Sequence, residues 1–178
     1  MKTAVISDTH SNKDDIILLL DWLKKNDINE IIHLGDDYSD SVFIKKAGFI
    51  VTSVPGIYCK EYFKPDIPNR IFKNIYGLRC LITHTKESTT KDQPEDIVPE
   101  RIIANKEVNM LLFGHSHEPD IYEENSIVFV NPGHMKKNDT RGFDKSFAII
   151  EEKKDYINID IFDFKTKKAF LSTKIKKH

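Results

Sequence analysis

Cysteine is nearly absent from this 178-residue chain: Cys59 and Cys80 are the only two, and they form no C-x-x-C pair. At most one bridge could form, so a disulfide-stapled scaffold is excluded and a reducing cytoplasm is the expected compartment. Glycine and proline stand at only seven each, which excludes a fibrous or low-complexity chain. Long apolar runs are missing as well. The first one, Ala4-Val5-Ile6, meets Ser7-Asp8 long before the core of a signal peptide could form, and no later run is long enough to span a bilayer. Net charge is also small, −1 from 27 basic and 28 acidic residues. No global positive field invites nucleic acid or an anionic membrane, although a local basic patch stays open. What is there is 39% hydrophobic and 31% charged, the make-up of one domain over residues 1–178 able to bury a core by itself.

The opening of the chain alternates. Thr3 to Ser7 is a β-branched run suited to a buried strand ending at Asp8. Asn12 is placed to cap a helix in which Ile16, Leu19, Leu20 and Leu23 recur at helical spacing up to about Lys25. Glu30 to Leu34 reads as strand, Ser39 to Ala47 as a short helix closed by Gly48, and Phe49 to Ser53 as strand again. Strand, helix, strand, helix, strand is the pattern of parallel strands with crossover helices. Ile71 to Ile75 and Leu78 to Thr83 read as a hairpin around Tyr76-Gly77, followed by a helix within Pro94 to Lys106 and a strand at Met110 to Phe113. From His117 onward the chain is strand-rich and antiparallel in character, with runs at 120–122, 127–130, 146–151, 157–162 and 170–173. Pro55 to Asn69 and Glu87 to Pro99 are the long irregular stretches, and loops of that length often carry function.

Acidic and imidazole groups collect at the ends of these strands. Asp8-Thr9-His10 ends the first, and alternate residues of an extended chain can share a target, though alone the triplet reads equally as a helix cap beside an exposed histidine. Gly35-Asp36 ends the second, His84 follows Leu78 to Thr83, and Gly114-His115-Ser116-His117 follows Met110 to Phe113. In a parallel sheet such ends lie side by side where ligands bind. One loop histidine needs no explanation, but four strand ends each presenting Asp or His point to a common site. Imidazole mixed with carboxylate suits Mn, Fe, Co, Ni or Zn better than Ca or Mg. Six candidate ligands exceed one tetrahedral shell and suit two ions roughly 3.5–4 Å apart bridged by a carboxylate, as in binuclear hydrolases.

In that order, Asp8-Thr9-His10, Gly35-Asp36, Thr83-His84 and Gly114-His115-Ser116-His117 resemble the calcineurin-like metallophosphoesterases. Asn131-Pro132-Gly133 and Arg141 resemble the small phosphodiesterase branch of bacteria and archaea, and the likeness covers Met1 to about Glu151. It implies an α/β four-layer sandwich, two packed mixed β-sheets flanked by α-helices. It also implies that Asp8, His10 and His117 hold one metal, His84 and His115 a second, and that Asp36 bridges them. The expected activity is divalent-metal-dependent phosphoesterase, in the first instance phosphodiesterase, with a metal-bridging hydroxide attacking phosphorus in line. Manganese is the leading expectation for both ions and a small phosphoester for the substrate, with the oligomeric state open and a dimer included.

Two departures weaken the likeness. The family's Gly-Asn-His/Cys-Asp/Glu motif is Gly56-Ile57-Tyr58-Cys59 here, and Ile57 cannot ligate, so the second ion is expected to bind weakly. Asp92 is a candidate replacement carboxylate. The usual catalytic histidine is absent, leaving Tyr58 and His134 as candidate proton donors, since a phenol keeps its proton at neutral pH. Either ring also reads as a packed residue, as does His33 within its strand. Cys59 reads as an inert thiol. The competing expectation is a weak or inactive interaction scaffold of the same fold, the role of the retromer subunit in this superfamily.

Overall fold

The computed structural model describes residues 1–177. The opening alternation holds, with β1 (Lys2–Ile6), α1 (Lys13–Lys25), β2 (Glu30–His33), α2 (Tyr38–Lys46) and β3 (Ile50–Ser53). The three strands are parallel, Thr3 facing Glu30 and Glu30 facing Ile50. Ile16, Leu19, Leu20 and Leu23 form the buried stripe of α1, while Asp14 and Asp15 in its first turn and Lys24 and Lys25 in its last complement the helix dipole. Asn12 holds the N-cap position without capping. Its side-chain amide donates instead to Asp15 Oδ2 at 2.6 Å and to the Met135 carbonyl at 2.7 Å, tying the start of α1 to a distant loop.

β4 (Arg70–Ile75) and β5 (Leu78–Thr83) form the expected hairpin. Its turn residues Tyr76 and Gly77 have φ of 52° and 93°, the left-handed pair that a tight two-residue connection requires. Then come α3 (Pro99–Ala104), β6 (Met110–Leu112), β7 (Asp120–Glu124), β8 (Ile127–Asn131), β9 (Ser146–Glu152), β10 (Tyr156–Asp163) and β11 (Ala169–Lys176). α3 begins later than the Pro94 start that the apolar spacing predicts. Asp96 accepts from Gln93 N at 2.8 Å and Asn69 Nδ2 at 2.9 Å, which holds that stretch as a turn, and Pro99 keeps Val98 extended. A single 3₁₀ turn at Lys60–Phe63, absent from the sequence reading, breaks the other long loop.

The strands make two mixed sheets, ordered β11-β10-β9-β1-β2-β3 and β4-β5-β6-β8-β7. Val5, Ile32, Ile82, Leu112, Val130 and Ile159 belong to the cluster packed between them. On the outer face of the six-stranded sheet, Leu19, Leu23 and Ile44 from α1 and α2 cover Ile6, Ile31 and Phe147. Ile102 of α3 covers Leu81, Leu111 and Phe129 on the other sheet. These are the four layers expected, and each fully buried Leu or Ile stabilises them by about 1.5–3 kcal/mol. Among the described residues, no helix is long and apolar enough to cross a membrane.

Candidate metal centre

The two sheets meet at the edge where β1, β2, β5 and β6 end. Asp8 N donates to Gly35 O at 2.9 Å within one sheet, and Gly114 N donates to His84 O at 3.0 Å within the other. His115 N then donates to Asp8 Oδ2 at 2.9 Å, which locks the sheets together at the site. The strand ends are not extended. Asp8, His10, His115 and His117 have φ of 51°, 46°, 68° and 66°. Convergence therefore comes from left-handed turns just past the strands, not from alternation along an extended chain. Each such turn costs a non-glycine residue about 1–2 kcal/mol and persists only where surrounding contacts over-determine it. Close approach also fixes two glycines: a Cβ at Gly56 would strike Asp36 Oδ1, and one at Gly114 would strike Ser7 Oγ and Asp8 Oδ2.

Asp8, His10, Asp36 and His117 each offer one ligand atom, all within 4.8 Å of one another. His10 Nε2 lies 3.1 Å from Asp36 Oδ2, and His117 Nε2 lies 3.3 Å from both Asp8 Oδ1 and His10 Nε2. His84 Nε2 is 3.4 Å from Asp36 Oδ1, and the His84 and His115 rings stand edge to face with centroids 5.1 Å apart. Tautomers follow from the partners. His84 Nδ1–H donates to the Leu34 carbonyl at 2.8 Å, so the lone pair of Nε2 faces the Asp36 carboxylate. Asp8 Oδ1 and His84 Nε2 are buried with no hydrogen-bond partner among the described residues. Buried lone pairs facing carboxylate oxygens are costly unless a cation lies between them. Asp8, His10, Asp36 and His117, with His84 beside them, thus fit a divalent metal.

Burial pushes the Asp8 carboxyl up, but its contacts with His117, His84 and the Ser7 hydroxyl hold it well below the usual carboxylate range. Burial likewise opposes ionisation of Asp36, and contacts with His10 and His84 lower it on balance. His115 is pushed down by burial and by the neighbouring His84. Both carboxylates are therefore ready to meet a cation across the neutral pH range. Beneath them, His33 Nε2–H donates to Thr9 Oγ1 at 3.0 Å, Thr9 donates to Asp40 Oδ2 at 2.6 Å, and Gly35 N donates to His33 Nδ1 at 3.3 Å. Burial pushes the His33 pKa down to about 4, so this ring is a neutral support for the turn from Asp8 to His10.

The sequence model of the calcineurin-like phosphoesterase superfamily domain matches residues 1–155. The chain belongs to that superfamily. It is 27% identical over 148 residues to a phosphodiesterase of Methanocaldococcus jannaschii, covering 75% of this chain and 83% of the relative. A predicted phosphoesterase from Streptococcus pneumoniae has the same fold, with 18% identity, a TM-score of 0.65, and 99% and 97% of the two chains covered. So does Vps29 of Entamoeba histolytica, solved with Zn²⁺, at 16% identity, a TM-score of 0.70 and 99% of each chain covered.

Around this cluster the remaining candidates separate. Ile57 is buried and Tyr58 is 75% exposed. Tyr58 lines a cleft of about 470 Å³ with His10, Asp36, Tyr38 and Cys59, and the Lys91 ammonium sits 5.1 Å from its ring centre. A second cavity of about 420 Å³ opens beside His115, walled by Thr85, Ser116, Tyr122 and Asn131. Burial pushes the Cys59 thiol up, in keeping with an inert group. His134 is buried against His117, ring centroids 5.0 Å apart, with Nε2–H donating to the Phe143 carbonyl at 3.0 Å and Nδ1 accepting from Lys136 N at 3.1 Å. Asp92 accepts from Tyr62 Oη, Thr89 Oγ1 and Arg70, at 2.7, 2.7 and 2.8 Å. It stitches the two long loops together and does not join the cluster at Asp36. One residue escaped the sequence reading altogether: Asp139, whose Oδ1 lies 2.7 Å from His117 Nδ1. It stands in no recognisable motif, and only the nearby Arg141 marked its loop.

Proposed function

We propose that the chain is a divalent-metal-dependent phosphodiesterase with an unequal pair of metal positions. The observation that carries this reading is the pair of buried, unpartnered atoms, Asp8 Oδ1 facing His117 Nε2 and His84 Nε2 facing Asp36. Asp8, His10, Asp36 and His117 would hold the first ion. His84, His115 and Asp36 would hold the second, where Ile57 offers no donor. Manganese is the first choice, with Fe, Co, Ni or Zn as alternatives for the same mixed donor set. Ions bound there would supply Lewis-acid stabilisation of the phosphoryl oxygens and lower the pKa of a water.

The protein's own part is positioning and proton delivery. The Leu34 carbonyl fixes the His84 tautomer, and the His115 amide orients the Asp8 carboxylate. The clefts beside His10 and beside His115 receive the two ester arms of a small diester. Tyr58 at the rim of the first cleft gives its phenolic proton to the leaving alkoxide. His134 has both ring nitrogens engaged, so it backs His117 instead of delivering a proton.

Turnover of bis(p-nitrophenyl) phosphate by purified protein with Mn²⁺, compared with His117→Ala, tests the enzymatic reading. Turnover no higher than that variant's background sinks it in favour of an interaction scaffold, the reading that the buried Ile57 and the Vps29 fold likeness favour. Tyr58→Phe then separates chemistry from packing. It should slow alkyl diesters about 10²-fold and leave the nitrophenyl diester nearly unchanged, because a nitrophenolate leaves without a proton.

A further inference from the structure

We propose that Asp139 is a positioning residue of the metal centre, whose carboxylate fixes the tautomer and aim of the His117 ring. The inference rests on the metal-centre reading above and adds a residue outside its ligand set. His117 Nδ1 lies 2.7 Å from Asp139 Oδ1, and the two side chains are 2% and 3% exposed. A carboxylate only accepts, so Nδ1 carries a proton, and in the neutral ring that can hold a metal the lone pair is on Nε2. That lone pair then faces Asp8 Oδ1 and His10 Nε2, both at 3.3 Å.

Asp139 is itself held. Arg141 N donates to its Oδ2 at 2.9 Å, and the Arg141 guanidinium donates to the His115 carbonyl. One turn of the loop between β8 and β9 therefore braces a ligand residue from each metal position. His134 closes the other face of the His117 ring, 27° from parallel. His117, His134 and Asp139 also lie close enough together to resemble a separate metal site. Both His134 nitrogens are taken by the Phe143 carbonyl and the Lys136 amide, so that ring has no lone pair to give. The trio is a brace, and carboxylate partners of metal-bound histidines typically govern affinity by 10–100-fold.

Calorimetric titration of the metal-free chain with Mn²⁺, together with the visible absorption of its Co²⁺ form, tests this. Asp139→Ala should weaken the tighter site by roughly 10–100-fold and alter its Co²⁺ spectrum, while the weaker site changes by less than about threefold. Asp139→Glu should recover part of the loss. Unchanged affinity at the tighter site, or equal loss at both sites, overturns the proposal. If Asp139→Ala lowers the melting temperature, the isosteric Asp139→Asn decides by the same criteria. A wild-type chain that binds no metal overturns the metal-centre reading and this proposal together, whereas wild-type binding with an indifferent Asp139→Ala overturns this proposal alone.

Discussion

The two halves of the centre are built to different standards. Around Asp8, four ligand atoms lie within 4.8 Å of one another, one histidine is braced by Asp139, and His33 and Thr9 support the turn from beneath. Around His84 there are two imidazoles, the shared Asp36, and a buried isoleucine where the superfamily pattern carries a ligand. Both halves carry an unpartnered buried atom, so both retain the electrostatic demand for a cation. On the reading proposed above, ligand number and not local charge sets the second position apart. Affinity for the second ion should fall while its geometry survives.

Removing the shared ligand should break this contrast most severely. Asp36→Ala should abolish both binding events and lower diester turnover on the order of 10³-fold, the scale of losing preorganised charge stabilisation. His84→Ala should remove only the weaker event, with a loss on the order of 10²-fold. Equal effects from the two variants, read by calorimetry and initial rates, would mean that the halves are not independent. A smaller change should sharpen the contrast by narrowing it. Ile57→Asn returns an oxygen donor and should tighten the second ion by about tenfold, lowering the Mn²⁺ concentration needed for half-maximal turnover.

A separate effect, on stability and not on metal binding or turnover, concerns the support beneath the first position. With a folded pKa of about 4 against 6.5 for a free imidazole, the unfolded chain protonates His33 first as pH falls. Stability contributed by this ring is therefore whole above about pH 6.5 and is lost as pH falls toward 4, by about 3 kcal/mol in total. Urea unfolding of the metal-free chain across that window should show a shallower decline for His33→Gln than for the wild type. Parallel curves would show that His33 does not carry the titration.

The convergence of the six candidate positions was legible because strand ends in parallel sheets converge and each carries Asp or His. The reason they converge was not legible. Alternation in an extended chain explains Asp8 and His10 on paper, whereas the chain turns left-handed at both, a conformation that no side-chain pattern announces for non-glycine residues. Asp139 was hidden for a related reason: it reaches His117 across 22 residues from a loop without periodicity. Asp92 misled in the opposite direction. Loop position made it available to a metal in principle, but the buried Arg70 and the Tyr62 hydroxyl claim it first. The four layers were legible only through the superfamily likeness, since the apolar periodicity yields elements and not the order in which two mixed sheets assemble.

The central claim is the inequality of the two metal positions, and Mn²⁺ titration of the dialysed chain followed by calorimetry tests it most directly. One equivalent should bind tightly and a second should fill only with excess metal. Two equivalents of indistinguishable affinity would contradict it.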